Sequence, residues 1–131
     1  MKNVFRPLVV ASLIAAVINQ ALYFLATEFL QVEFILTSPA GTAIPFFAPA
    51  LFSVFQGIVG GVIVAWIASR TKSPKNVWLS VSLIALALSF VMPFGGISTI
   101  EGALWLNLMH VVAGALIIPM VRSALPSAAG A

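Results

Sequence analysis

The chain has one histidine, His110, and no cysteine. A lone imidazole can move a proton or serve as a single axial ligand to a haem-type group. It makes no metal constellation, because zinc takes three or four protein ligands. Without cysteine there are no disulfides, no thiolate metal sites and no thiol redox chemistry. No metal, no cofactor and no catalytic residue is therefore assigned. The amide side chains inside apolar sequence are Asn19, Gln20, Gln56 and Asn107. Ala103, Asn107, His110 and Gly114 are spaced 4, 3 and 4 residues apart, which puts them on one helix face. Ser12, Ala15, Ala16, Asn19 and Tyr23 make a comparable small-polar face, with Gln20 beside it.

These residues need a setting, and the composition supplies one. Of 131 residues, 62% are hydrophobic and 7% charged, against about 25% charged in a soluble domain. The mean hydropathy is +1.17. A helix crossing a bilayer takes roughly 20 apolar residues. The sequence predicts an all-α membrane protein, one domain over 1–131, with four transmembrane helices in an antiparallel bundle at about 8–30, 49–69, 77–92 and 103–121. A soluble enzyme, a nucleic-acid reader and a disordered chain are excluded. The first span follows Lys2 and Arg6 like a signal peptide, but no small-x-small cleavage site follows Ile18, so it reads as a retained helix. Pro49 suits a first helical turn. Pro93, Gly95 and Gly96 are read as ending the third span. The loop after the first span contains a Ser38-Pro39-Ala40-Gly41 turn and enough apolar residues to pack onto the helix ends. Residues 123–131 read as a tail outside the fold.

Charge gives the orientation. Lys2, Arg6, Arg70, Lys72, Lys75 and Arg122 fall on one side of the four-span model, and Glu28, Glu33 and Glu101 on the other. The positive-inside rule places both termini and the middle loop in the cytoplasm of a bacterium, with the chain as a multi-pass protein of the inner membrane. Trp66 and Trp78 are expected as anchors at the inner interface and Trp105 at the outer one.

At 1.5 Å per residue, His110 and Gln56 lie about 10 Å in from the outer side and Asn19 and Gln20 about 15 Å, with Asn107 shallower. The expectation is a polar layer of Asn19, Gln20, Gln56, Asn107 and His110, slightly outside the midplane. Intramembrane polar groups turn away from lipid. They then act either as glue between helices or as the lining of a pocket. Gly57 and Gly61 form a GxxxG pair that, with Gly114, is expected to let helices approach closely within the chain.

Ala16-Val17-Ile18-Asn19, the Gly-rich second span followed by Arg70-Thr71-Lys72, and Leu104-Trp105-Leu106-Asn107-Leu108-Met109-His110 resemble an uncharacterised family of small four-helix bacterial inner-membrane proteins. That resemblance implies the fold and no activity. Better-known four-span families fit worse. The one Gly-Thr pair, Gly41-Thr42, lies in a loop with no Asn after it, unlike a fluoride channel. Asn19-Gln20 stands where a small multidrug exporter carries a carboxylate. Gly96-Ile97-Ser98 is followed by Thr99, not by the Gly of a membrane serine protease. The reading is a small non-enzymatic membrane protein, an accessory or self-associating bundle. Its partners are the lipid bilayer and a second copy or a larger membrane complex, with no nucleic acid. The alternative is a small transporter, channel or ligand-binding protein that uses the layer around His110. The first predicts a closed, dry centre, and the second a hydrated cavity reaching His110 from the outer side.

Overall fold

A computed structural model describes residues 2–127. Helix α1 (Lys2–Phe24) ends in a π-helical turn, Leu25–Phe29; α2 is Ala48–Ser69, α3 Pro74–Ser89, α4 Val91–Gly96 and α5 Ile100–Ala124. Four spans are long and apolar enough to cross a membrane: Asn3–Phe29, Ala48–Ser69, Pro74–Gly96 and Ile100–Ala124. The chain is thus an all-α, multi-pass membrane protein. Its exposed surface is apolar, with Val17, Ile63, Leu88 and Leu104 each more than half exposed. Lipid accepts such side chains, while the helices satisfy their own backbone groups.

Local sequence sets the helix ends. Proline occupies the first turns of α2 and α3, where its missing N–H is not needed. The Thr99 side chain accepts from the Gly102 amide at the start of α5, an N-cap. In the third span Pro93 does not end the helix as the sequence suggested. It lacks the N–H that would pair with the Ser89 carbonyl, so the helix breaks at Phe90 and resumes as α4 through Gly96. Asn107 donates to the Phe90 carbonyl at this break, at 3.3 Å. In the π-turn, Thr27 Oγ1 donates to the Tyr23 carbonyl at 3.0 Å, a side-chain bond that competes with regular helix bonding.

Helix α1 packs along both α2 and α5, and α3 packs on α5. The basic residues Arg6, Arg70, Lys72, Lys75 and Arg122 sit at the end of the bundle that holds the α2–α3 turn, and Glu28, Glu33 and Glu101 at the other; these are called here the basic and acidic ends. At the basic end Val4, Leu8, Ala65, Ala68, Trp78, Val121 and Leu125 form one core. Two expectations are corrected there. Trp78 is not an interfacial anchor: it is 1% exposed and its indole donates to the Ile118 carbonyl at 2.9 Å. The tail expected from residue 123 does not begin there. Ser123 and Ala124 are helical and Leu125 is buried, while 128–131, with Gly130, lie outside the described residues. Trp66 is exposed, with the Arg70 guanidinium 4.2 Å above its ring.

At the acidic end Tyr23, Ala26, Val32, Phe34 and Met109 form a second core, with Trp105 packed on it. The α1–α2 loop folds onto this end. It turns at Gly41, where φ is +80°, a value glycine adopts without steric cost. It forms isolated antiparallel bridges Ile35–Ala43 and Leu36–Ile97. Thr37 N donates to the Gly96 carbonyl at 3.0 Å and Ser98 N to the Ile35 carbonyl at 2.8 Å. The loop is therefore stitched to the segment between α4 and α5.

Candidate functional site

A cavity of about 570 Å³ lies in the acid-end half of the bundle. Its inner wall is Asn19 of α1 with Leu106, Met109, His110, Ala113 and Ile117 of α5. One flank is α2 from Ala48 to Gly57, and the other is Met92, Pro93 and Gly96 of α4. Leu36, Ile44, Pro45 and Ile97 close it toward the acidic end. Helices α2 and α4 make no extended contact, and Leu51, Phe52 and Met92 on the flanks are more than half exposed. The cavity is therefore a lateral cleft, opening between α2 and α4 on the apolar surface. It is not the polar pocket open at the acidic end that the sequence suggested, because the α1–α2 loop and Ile97 cover that end.

Asn19 is the pivot of the inner wall. It is 3% exposed. Its Nδ2 donates to Ser53 Oγ on α2 at 2.8 Å and to the Met109 carbonyl on α5 at 3.1 Å. Ser53 Oγ in turn donates to the Pro49 carbonyl at 2.7 Å. One amide thus ties three helices together. The partners of Nδ2 assign the amide orientation, because a backbone carbonyl can only accept. Asn19 Oδ1 and His110 Nδ1 are buried and have no hydrogen-bond partner among the described residues. Both residues line the cavity, as do Ser53 and the exposed Gln56.

The five residues expected in one layer divide into two groups. Asn19, Gln56 and His110 meet at the cavity. Gln20 and Asn107 do not line it and serve the backbone. Gln20 Nε2 donates to the Phe46 carbonyl at 2.7 Å, and its Oε1 accepts from Ala50 N at 3.3 Å, so it caps the start of α2 from a neighbouring helix. Asn107 sits at the α3–α4 break.

The glycines mark close approaches inside the chain. A Cβ on Gly57 would meet Ser12 Oγ of α1, and would lie 3.1 Å from Ile117 Cδ1 of α5. On Gly61 it would meet Leu8 Cδ1, and on Gly114 it would lie 2.8 Å from Leu86 Cδ2. Ser53 carries a single sequence signal, its place one turn before Gln56, the i and i+3 positions of one helix face.

A family model described as a family of unknown function, DUF6069, matches residues 1–127. The chain belongs to that family. The matched range contains every wall of the cavity. Neither the curated proteins nor the solved structures provide a match. The resemblance noted in the sequence, to an uncharacterised family of small four-helix membrane proteins, is thereby supported at the level of the DUF6069 family.

Proposed function

We propose that this DUF6069 chain is a protein of the bacterial inner membrane, with both termini cytoplasmic, that binds a small uncharged and largely apolar molecule carrying a hydroxyl group. The observation that carries the reading is the cleft at His110. A dry accessory bundle needs no such space, and about 570 Å³ falls within the range of small-molecule sites, about 300–1,000 Å³. The lining is mostly apolar, with a few polar groups from three helices and no charged side chain. An ionic ligand finds no counter-charge there, and burying a lone charge is costly. A hydroxyl both donates and accepts, so it suits Asn19 Oδ1 and either tautomer of His110. The lateral opening supports arrival through the lipid.

Thermal unfolding of the protein in nanodiscs tests this. 1-Decanol is expected to give a saturable rise in Tm, while decanoate, of the same length but charged, gives none. Ala113→Phe, which fills the cleft, is expected to abolish the decanol effect. Equal shifts with both probes, or an undiminished decanol shift in Ala113→Phe, would overturn the proposal.

A further inference from the structure

We propose that a second groove, between α3 and α5 at the basic end, binds the phosphate headgroup of an anionic membrane lipid. This stands apart from the cleft at His110 and uses none of its residues. The groove has a volume of about 440 Å³ and is lined by Lys75, Leu79, Ile118, Pro119, Arg122 and Ser123.

Two cations from two different helices face one space. Lys75 lies in the first turn of α3 and Arg122 in the last turn of α5. The three acidic side chains of the chain all lie at the opposite end, so none of them neutralises the pair. Arg70 is different: its guanidinium is stacked on Trp66. Helix α3 adds to the positive field. Its N-cap residue, Ser73, makes no side-chain capping bond. Pro74 has no N–H and Asn76 N donates to the Ser73 carbonyl, so the helix contributes the positive end of its dipole beside Lys75 and no array of free amides. The Ser123 hydroxyl donates to the Met120 carbonyl at 2.7 Å, so the anion-binding donors are those of Lys75 and Arg122.

The rest of the groove decides the source of the phosphate. Leu79, Ile118 and Pro119 are apolar and lie on the membrane side of the two cations, within the spans. A free phosphate gains nothing from that surface. A phospholipid places its phosphate between the cations and the start of an acyl chain along the apolar residues. Basic pockets between transmembrane helices recognise anionic headgroups in this way.

The test uses the full chain in neutral detergent micelles, with apparent affinity read from the thermal shift. Phosphatidylglycerol is expected to give a saturable stabilisation and phosphatidylcholine little. A contribution typical of a basic residue at a membrane surface, taken twice, predicts about 30-fold weaker phosphatidylglycerol binding in Lys75→Gln/Arg122→Gln. Lys72→Gln, in the adjacent turn, is expected to bind as the wild type does, and Arg122→Lys to keep most of the affinity. Far-ultraviolet circular dichroism without lipid checks that each variant is folded. Equal stabilisation by phosphatidylcholine overturns the proposal. So does a loss in Lys72→Gln matching the double variant, which means diffuse surface charge. Inorganic phosphate reproducing the full shift means a free-anion site, and also overturns it.

Discussion

Gly60 and Gly61 are neighbours in the middle of α2, yet an added methyl group meets opposite surroundings at each. At Gly60 it meets nothing within 4 Å; at Gly61 it meets both methyl groups of Leu8 on α1, with Cδ2 only 3.0 Å away. A flexible side chain could turn aside, but Leu8 is completely buried, packed among Val4, Ala65, Ala68 and Trp78. Turning would press it into those neighbours. Gly→Ala raises helix propensity by about 1 kcal/mol in a helix interior, and this gain is shared by both variants, so it cancels in their difference. What remains is overpacking, typically about 1–3 kcal/mol. Gly61→Ala is therefore expected to be less stable than Gly60→Ala by about 1–3 kcal/mol. Unfolding of both in mixed micelles with increasing SDS, followed by circular dichroism, measures the difference. Leu8→Ala should remove most of the gap, because the coupling runs through that one side chain. Equal stability of the two alanine variants would refute the argument that α1 and α2 meet at Gly61.

Asn19→Ala loses two interhelical hydrogen bonds, each worth about 0.6 kcal/mol on average in a membrane and at most about 1.7. A loss of about 1 kcal/mol is expected in the same SDS titration. Gln20→Leu uncaps α2, and at about 0.5–2 kcal/mol for a lost N-cap the variant should show faster amide exchange at Ala50 than at Val62. Reporter fusions after Ser73 are expected to signal cytoplasm and fusions near Gly41 the outside, from the segregation of charge; an external signal at Ser73 contradicts that topology. Trp78→Phe leaves the Ile118 carbonyl without its indole donor, at a cost of about 1 kcal/mol, and removes the most blue-shifted component of the tryptophan emission.

The four spans were legible because hydropathy alone determines where a chain can enter a bilayer. Their ends were legible for the second span, expected at about 49–69 and found at Ala48–Ser69, but not for the third. Pro93 has the signature of a terminator, yet the third span breaks at Phe90 and continues past it as α4, with Asn107 of α5 donating to the Phe90 carbonyl at the break. Helical spacing correctly placed Ala103, Asn107, His110 and Gly114 on one face, but that face is long. Asn107 and Gly114 meet the third span while His110 reaches the cleft. Gln20 follows Asn19 directly, and one step along a helix turns a side chain by about 100°, enough to send it to the start of α2 instead of the cleft. Trp78 departs from its expected interfacial place because of a tertiary partner as well. Tryptophan near a membrane interface favours that boundary, and sequence offers no sign that the Ile118 carbonyl stands ready to receive its N–H.

The loop stitched across the acidic end bears on how a ligand of the proposed kind reaches the cleft. With its bridges to Ile97 and Gly96 in place, the direct route from the water on that side is roofed, and the remaining route is sideways through the hydrocarbon. For the proposed ligand, occupancy then follows the concentration dissolved in the leaflet, not the concentration in water. For a compound that partitions about 1,000-fold into lipid, this supplies about 4 kcal/mol of the apparent affinity before any contact with the protein is made. A site with three or four polar groups and weak intrinsic binding can be well occupied under those conditions. Under the proposed function, selectivity among ligands is imposed first by solubility in the membrane, and only afterwards by Asn19 and His110.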